Sequence, residues 1–207
     1  MTVATRTMTR HIVMRYSDRL VPGTDSLADH RKVLRKLGYV WAGKVGRGLT
    51  LAPFLHQLQD DIVTYLYLAT FTTSGHRLTR GRITAIQTKP PDEQGIPDYY
   101  KSFRFVPRVG MWMRLSDLRA VQPFERVRLV VISSGNHITT TLALSSAGIF
   151  IVRKLKPHEQ AMPISRSLWQ ERTQQVISKL HDDDDDGLDL RRESLDDLYE
   201  EMEASDD

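Results

Sequence analysis

The sequence predicts an α+β protein: a small, mostly antiparallel β-barrel with flanking helices and a disordered acidic C-terminal tail. Three observations predict it. Many short segments rich in β-branched and aromatic residues are separated by turns, and closing them into a barrel removes exposed strand edges. Helical spacing of apolar residues is confined to a few short spans. Acidic residues crowd the end of the chain, above all in the run at 182–186.

Eight strands are predicted where β-branched and aromatic residues cluster between turn-forming residues. In one of them, Arg80, Arg82 and Thr84 alternate with small or apolar residues, as in a strand with one wet, basic face. A proline-rich stretch at 90–100 predicts a loop. The predicted strands are residues 11–16, 39–45, 62–71, 77–89, 109–115, 127–133, 138–144 and 148–154.

Three helices are predicted from apolar residues three and four positions apart. The first spans 26–37, because Ser26 and Asp29 resemble a capping box and Gly38 supplies a stop. The second is short and follows Thr50, which can cap it. The third spans about 168–180 and is expected to pack on the barrel.

Charge divides the chain into a basic body and an acidic end. Residues 181–207 hold fourteen acidic and two basic residues, a net charge of −12, which leaves +15 on residues 1–180. We predict a barrel domain over 1–156 with an N-terminal strand–helix extension, a packing helix over 157–180 and an acidic tail over 181–207. A body this basic attracts polyanions in a salt-dependent way. The alternative is a generally basic, soluble surface.

The composition argues against catalysis, cofactors and membranes. The chain has no cysteine, and its seven histidines are scattered singly, so we expect no metal site. It contains no phosphate-binding or dinucleotide-binding glycine motif, and the body has few carboxylates for acid–base chemistry. No apolar run of about 18 residues and no secretory signal is present. We therefore expect a cytoplasmic, non-enzymatic protein without cofactors or a membrane partner.

The order of several segments adds a family resemblance. The aromatic strand Tyr39-Val40-Trp41-Ala42-Gly43-Lys44 is followed by a helix and the strand 64–69. The glycine-marked strand RGRITAI at 80–86 and the tryptophan-led segment WMRLSDL at 112–118 come next. In this order, residues from about 39 to 148 resemble the PUA-like superfamily of small barrels, which includes the EVE and YTH domains. The resemblance implies recognition of a modified base in DNA or RNA, in a prokaryotic defence or regulatory system.

Basic and aromatic residues interleave along the body, as expected where bases stack on aromatic rings while Lys and Arg hold phosphates. Either tryptophan is better explained as a core residue, whereas Tyr99 and Tyr100 in the proline-flanked loop are better surface candidates. Arg80 and Arg82, with Arg77, are candidates for a phosphate track or for a solvated face. The predicted nucleic-acid contacts are Trp41, Lys44, Arg47, Arg80, Arg82, Tyr99, Tyr100, Lys101, Arg104, Arg108 and Trp112.

The acidic end carries an apolar stripe. Leu195, Leu198, Tyr199 and Met202 recur at helical spacing, which is typical of a helix that binds in a partner's groove. We therefore predict a protein partner for 194–202, with a solubilising tail or a tail that covers the basic groove as alternatives. The competing function is a protein-interaction regulator with a MazF-like barrel, of the inhibitor or anti-sigma type, in a defence operon. A metal-independent ribonuclease using Arg, His and Ser is the second alternative.

Overall fold

The computed structural model describes residues 8–16, 25–72, 75–102, 104–156 and 159. All of them belong to the first of two units, Met1–Met162, and the second unit is Pro163–Asp207. The predicted helix at 168–180 and the predicted partner-binding residues of the tail lie outside the described residues. They stay predictions.

Strands and helices alternate along the described residues, with two short 3-10 turns at Glu93–Gly95 and Val106–Arg108. The strands are β1 His11–Tyr16, β2 Val40–Val45, β3 Thr64–Thr72, β4 Gly75–Gln87, β5 Val109–Leu115, β6 Arg119–Ala120, β7 Leu129–Val131 and β8 Ile149–Lys154. The helices are α1 Ser26–Leu37, α2 Ala52–Gln59, α3 Asp98–Ser102, α4 Pro123–Arg126 and α5 Ile138–Leu144.

All eight strands belong to one sheet in the order β2-β5-β4-β3-β1-β8-β7, with β6 paired to β4. Every pairing is antiparallel except that of β1 with β3. The α+β class and the mostly antiparallel sheet are therefore confirmed. Within the described part of the chain the order is an open path from β2 to β7, so the sheet is not closed as a barrel requires.

The sheet curves around its first core. Three strands separate β1 from β2 in the pairing order, yet Ile12 and Met14 of β1 share a buried cluster with Val40 and Ala42 of β2. Helices α1 and α2 cover this core with apolar side chains. A second core lies on the other side of β1, where Val13 packs with residues of β3, β4, β7, β8 and α5. Side chains of successive strand residues point to opposite faces, so β1 supplies both cores.

Helix α1 has the predicted bounds but a different N-cap. The carboxylate of Asp25 accepts from the N–H of Ala28 at 2.9 Å. Ser26 is buried instead, and its carbonyl accepts from Nδ1 of His30 at 2.8 Å. Gly38 ends the helix in the left-handed region at φ 74°, as predicted.

The prediction of a strand at 138–144 is wrong, because these residues form helix α5. Ile138 and Leu142 are four residues apart, and both are buried in the second core. The hydroxyl of Thr141 donates to the carbonyl of His137 at 3.1 Å. The guanidinium of Arg15 donates to carbonyls at the end of the helix, so contacts from a distant strand favour helix over the local β-propensity.

Candidate functional site

The predicted aromatic contacts come together, but inside the protein. Trp41, Tyr99, Tyr100 and Trp112 belong to one buried cluster between β2, β5 and α3, and each is at most 7% exposed. The tryptophans are core residues, as the alternative interpretation held. The surface placement of Tyr99 and Tyr100 is wrong. The segment predicted as a loop turns back through a 3-10 turn into α3, and this buries both rings.

A chain of hydroxyl groups fixes the tyrosines against the outer strand β2. The hydroxyl of Tyr100 accepts from the N–H of Gly43 at 2.8 Å and donates to its carbonyl at 3.1 Å. The rings of Tyr99 and Tyr100 stack at 4.3 Å, and the hydroxyl of Tyr99 bonds with those of Tyr100 and Tyr16. Burial raises the pKa of both Tyr99 and Tyr100, so both stay neutral.

Gly43 permits this close packing. A Cβ at this position would lie 2.9 Å from both methyl carbons of Val109 and 3.1 Å from the ring of Trp112. Any larger residue would have to displace Val109 and the tryptophan ring. The glycine of the aromatic strand is thus required by the aromatic cluster behind it.

A cavity of about 160 Å³ opens next to these tyrosines, between the end of β1 and β2. These two strands do not pair, and β2 is an edge strand of the sheet. We call it the aromatic pocket and define it by Tyr16, Lys44, Tyr99, Tyr100, Phe105 and Gly148, which are among the residues lining it.

Two cations stand beside the pocket, with different roles. The ammonium group of Lys44 donates to the carbonyl of Val45. Arg15 donates from Nε to the carbonyl of Ala147 at 3.0 Å and from Nη2 to carbonyls at the end of α5. Arg15 therefore holds the segment that leads into Gly148. Both Lys44 and Arg15 are half-buried, and the ammonium group of Lys44 has one carbonyl contact within the described residues.

A second hollow lies beside Trp41, with a volume of about 420 Å³. Tyr39 and Arg114 line it, and Cζ of Arg114 lies 4.1 Å from the centroid of the Tyr39 ring. Nε of Arg114 is buried and has no partner among the described residues. This groove is larger and more polar than the aromatic pocket.

The predicted basic contacts are spread over several places. Arg47, Lys101 and Arg104 are exposed, and the carbonyl of Arg108 accepts from the N–H of Gly46 at 2.9 Å next to Arg47. Lys101 lines a separate cavity of about 460 Å³ along α1.

Arg80 and Arg82 lie elsewhere on the sheet and share a face of β4, as predicted. Their register partners are Tyr67 and Tyr65. Arg77 is an odd number of residues away and falls on the opposite face, so it cannot extend their track.

Sequence reasoning missed three parts of the pocket: Tyr16, Phe105 and Gly148. Tyr16 ends a strand whose alternate residues are apolar, which is a signal for the core rather than for a site. Gly148 comes to the pocket through the carbonyl contacts of Arg15, from more than a hundred residues away. No local sequence pattern predicts such a contact.

No family model, curated protein or solved structure matches the chain. The PUA-like resemblance therefore stays a prediction. The described residues contain no group of three His, Cys, Asp or Glu side chains placed to hold a metal ion. None of the helices within those residues has the length and apolar character needed to cross a bilayer.

Proposed function

We propose that the chain is a non-enzymatic binding module that takes a base of a nucleic acid or nucleotide into the aromatic pocket. The main support for the proposal is this small cavity with its aromatic lining. The proposal relates the open, curved sheet to the PUA-like barrels. It takes the bound base to be modified or unmodified, and it has the protein act in a prokaryotic regulatory or defence system in the cytoplasm.

The size and lining of the pocket support a single flat ring as ligand. An apolar cavity of about 150 Å³ accommodates benzene, and the aromatic pocket has about 160 Å³. Tyr16, Tyr99, Tyr100 and Phe105 line the pocket, and stacking of a base on an aromatic ring contributes about 1–3 kcal/mol. The hydroxyl network keeps the tyrosines in place before the ligand arrives.

The charges favour a ligand that carries phosphate. Lys44 stands at the pocket, and Arg47 follows it on the exposed turn after β2. A base bound in the pocket would place its phosphate near these two cations. The net charge of +15 on residues 1–180 raises the encounter rate with such a ligand at low salt.

The test is binding of the full chain to labelled single-stranded, duplex and base-modified oligonucleotides, followed by fluorescence anisotropy over a salt series. Gly148→Leu is the blocking variant, because a Cβ there meets nothing closer than Cε of Lys44 at 3.7 Å and the longer side chain enters the pocket. Gly148→Ala is its matched control. We expect Gly148→Leu to weaken binding about ten-fold or more and Gly148→Ala to change it little.

Equal affinity of the Gly148→Leu variant and the unaltered protein would contradict the pocket as the binding site. Absence of binding even at low salt would contradict nucleic-acid binding as a whole. The protein-interaction regulator acting through 194–202 and the metal-independent ribonuclease stay predictions from the sequence.

A further inference from the structure

Six polar and aromatic residues meet on the second-core side of the sheet, at the end away from the α5 C-terminus. They come from four neighbouring strands and from α4, and we call them the Glu125 cluster. Its members are His11, Tyr65, Tyr67, Arg80, Glu125 and Lys154.

Glu125 holds two cations at once. Its Oε1 accepts from Nη1 of Arg80 at 2.8 Å, from Nζ of Lys154 at 2.7 Å and from the hydroxyl of Tyr67 at 2.9 Å. The Glu125 side chain is 10% exposed, and burial opposes its charge. The bonds from Lys154 and Tyr67 outweigh burial and lower its pKa, so it is ionised at neutral pH.

Both cations keep unused donors. A guanidinium has five N–H groups and an ammonium three, and Glu125 engages Arg80 through Nη1 alone. Nε of Arg80 is buried and has no hydrogen-bond partner among the described residues. The side chains of Arg80 and Lys154 are 25% and 30% exposed. Because Nε is buried, the donors that remain for a ligand are those of the Arg80 Nη atoms and of Lys154 Nζ.

Tyr65 contacts both cations through its ring. Its ring centroid is 4.8 Å from Cζ of Arg80 and 4.7 Å from Nζ of Lys154. Arg82 is the register partner of Tyr65 and is exposed, so a third cation lies on the same face of the sheet. His11 packs against Tyr65 and is neutral near pH 7, because burial and Lys154 lower its pKa to about 4. The positive charges here therefore outnumber the single carboxylate of Glu125.

We propose that Arg80 and Lys154 form a phosphate-binding site at the solvent edge of the Glu125 cluster, with Glu125 as the positioning residue beneath them. A phosphate oxygen there would accept from the free donors of both cations, which the carboxylate and the Tyr65 ring already hold in place. Charge-assisted bonds of this kind are about twice as strong as neutral ones. This site lies apart from the aromatic pocket, so either can fail without the other.

A purely structural ion-pair network is the competing explanation, and titration separates the two. The full chain is titrated with inorganic phosphate and, separately, with a short single-stranded oligonucleotide that has no terminal phosphate. Binding is followed by calorimetry and by the NMR signal of the Arg80 Nε–H. Chloride at equal ionic strength controls for general screening. Response to the first probe alone identifies a free phosphate, and response to the second identifies a nucleic-acid backbone.

Lys154→Gln is the test variant, and Arg77→Gln is its matched control, because it removes the same charge from the opposite face of the sheet. We expect Lys154→Gln to weaken phosphate binding about ten-fold and Arg77→Gln about two-fold or less. Gly148→Leu should leave it unchanged. An Arg80 Nε–H signal that responds no more to either probe than to chloride would overturn the site. Equal losses in the Lys154 and Arg77 variants would overturn it as well.

Discussion

Replacing Glu125 removes the one carboxylate that ties helix α4 to the sheet through three partners. Glu125→Ala leaves Arg80 and Lys154 without their common anion and the hydroxyl of Tyr67 without its acceptor. Glu125→Gln keeps an amide oxygen that can still accept from Tyr67 but removes the charge. The two variants therefore separate the contribution of the charge from that of the buried hydroxyl.

The expected losses in the free energy of unfolding follow from how exposed the partners of Glu125 are. Removing one partner of a fully buried ion pair costs about 3–5 kcal/mol, and an exposed pair contributes about 0–1 kcal/mol. Since Arg80 and Lys154 are 25% and 30% exposed, we expect about 1–2 kcal/mol for Glu125→Gln. Tyr67 is fully buried, so its unpaired hydroxyl adds about 1–2 kcal/mol in Glu125→Ala. That total of about 3 kcal/mol lowers Tm by about 6–12 °C.

The assay is urea unfolding at neutral pH, with calorimetry for Tm. A double-mutant cycle with Tyr67→Phe isolates the contribution of the Tyr67 hydroxyl, because phenylalanine has no hydroxyl that could lose its hydrogen-bond acceptor. In that background the difference between Glu125→Ala and Glu125→Gln should shrink by about 1 kcal/mol.

Two results would refute this reasoning. One is a loss of less than about 0.5 kcal/mol in Glu125→Ala, which is the range of ordinary surface substitutions. The other is an unchanged difference between the alanine and glutamine variants in the Tyr67→Phe background. Either would mean that Glu125 does not anchor α4.

Three further changes have expected outcomes. Burial lowers the pKa of His30 from 6.5 to about 4, so the unfolded chain binds more protons between these values and His30 contributes about 3 kcal/mol to the loss of stability as pH drops from 6.5 to 4. His11 adds to this loss over the same range, and urea unfolding at both pH values should show a smaller fall in His30→Asn. Tyr100→Phe leaves both backbone groups of Gly43 unpaired and should cost about 1–3 kcal/mol in the same assay. Gly43→Ala should cost about 1–3 kcal/mol by crowding Val109, and wild-type stability would contradict the packing described.

Composition along the strands made much of the sheet predictable. The segments at 11–16 and 109–115 form strands with the predicted bounds, because their apolar and β-branched residues are buried on both faces of one curved sheet. The shared face of Arg80 and Arg82 followed from the two-residue period of a strand. The strand predicted at 127–133 shortens to Leu129–Val131, because the chain turns on both sides of those three buried residues.

Contacts between residues far apart in the sequence could not be predicted from local sequence patterns. Tyr99 and Tyr100 sit among prolines and acidic residues, a composition typical of exposed loops, yet Tyr100 is held by Gly43, 57 residues away. Glu125 is one of few acidic residues in a basic body, and its partners come from β3, β4 and β8. Sequence spacing cannot bring such residues together before the order of the strands is known.

The two proposed sites make different demands on a ligand because strand β1 separates them. Met14 and Tyr16 point to the first core and the aromatic pocket, whereas His11 points to the second-core side and the Glu125 cluster. A mononucleotide that fills the pocket therefore cannot also reach Lys154 through the sheet. A single-stranded polymer passing around the edge of the sheet could contact both. In that case Lys154→Gln should reduce the slope of log affinity against log salt concentration, because a phosphate contact is lost. Gly148→Leu should instead lower affinity at every salt concentration without changing that slope.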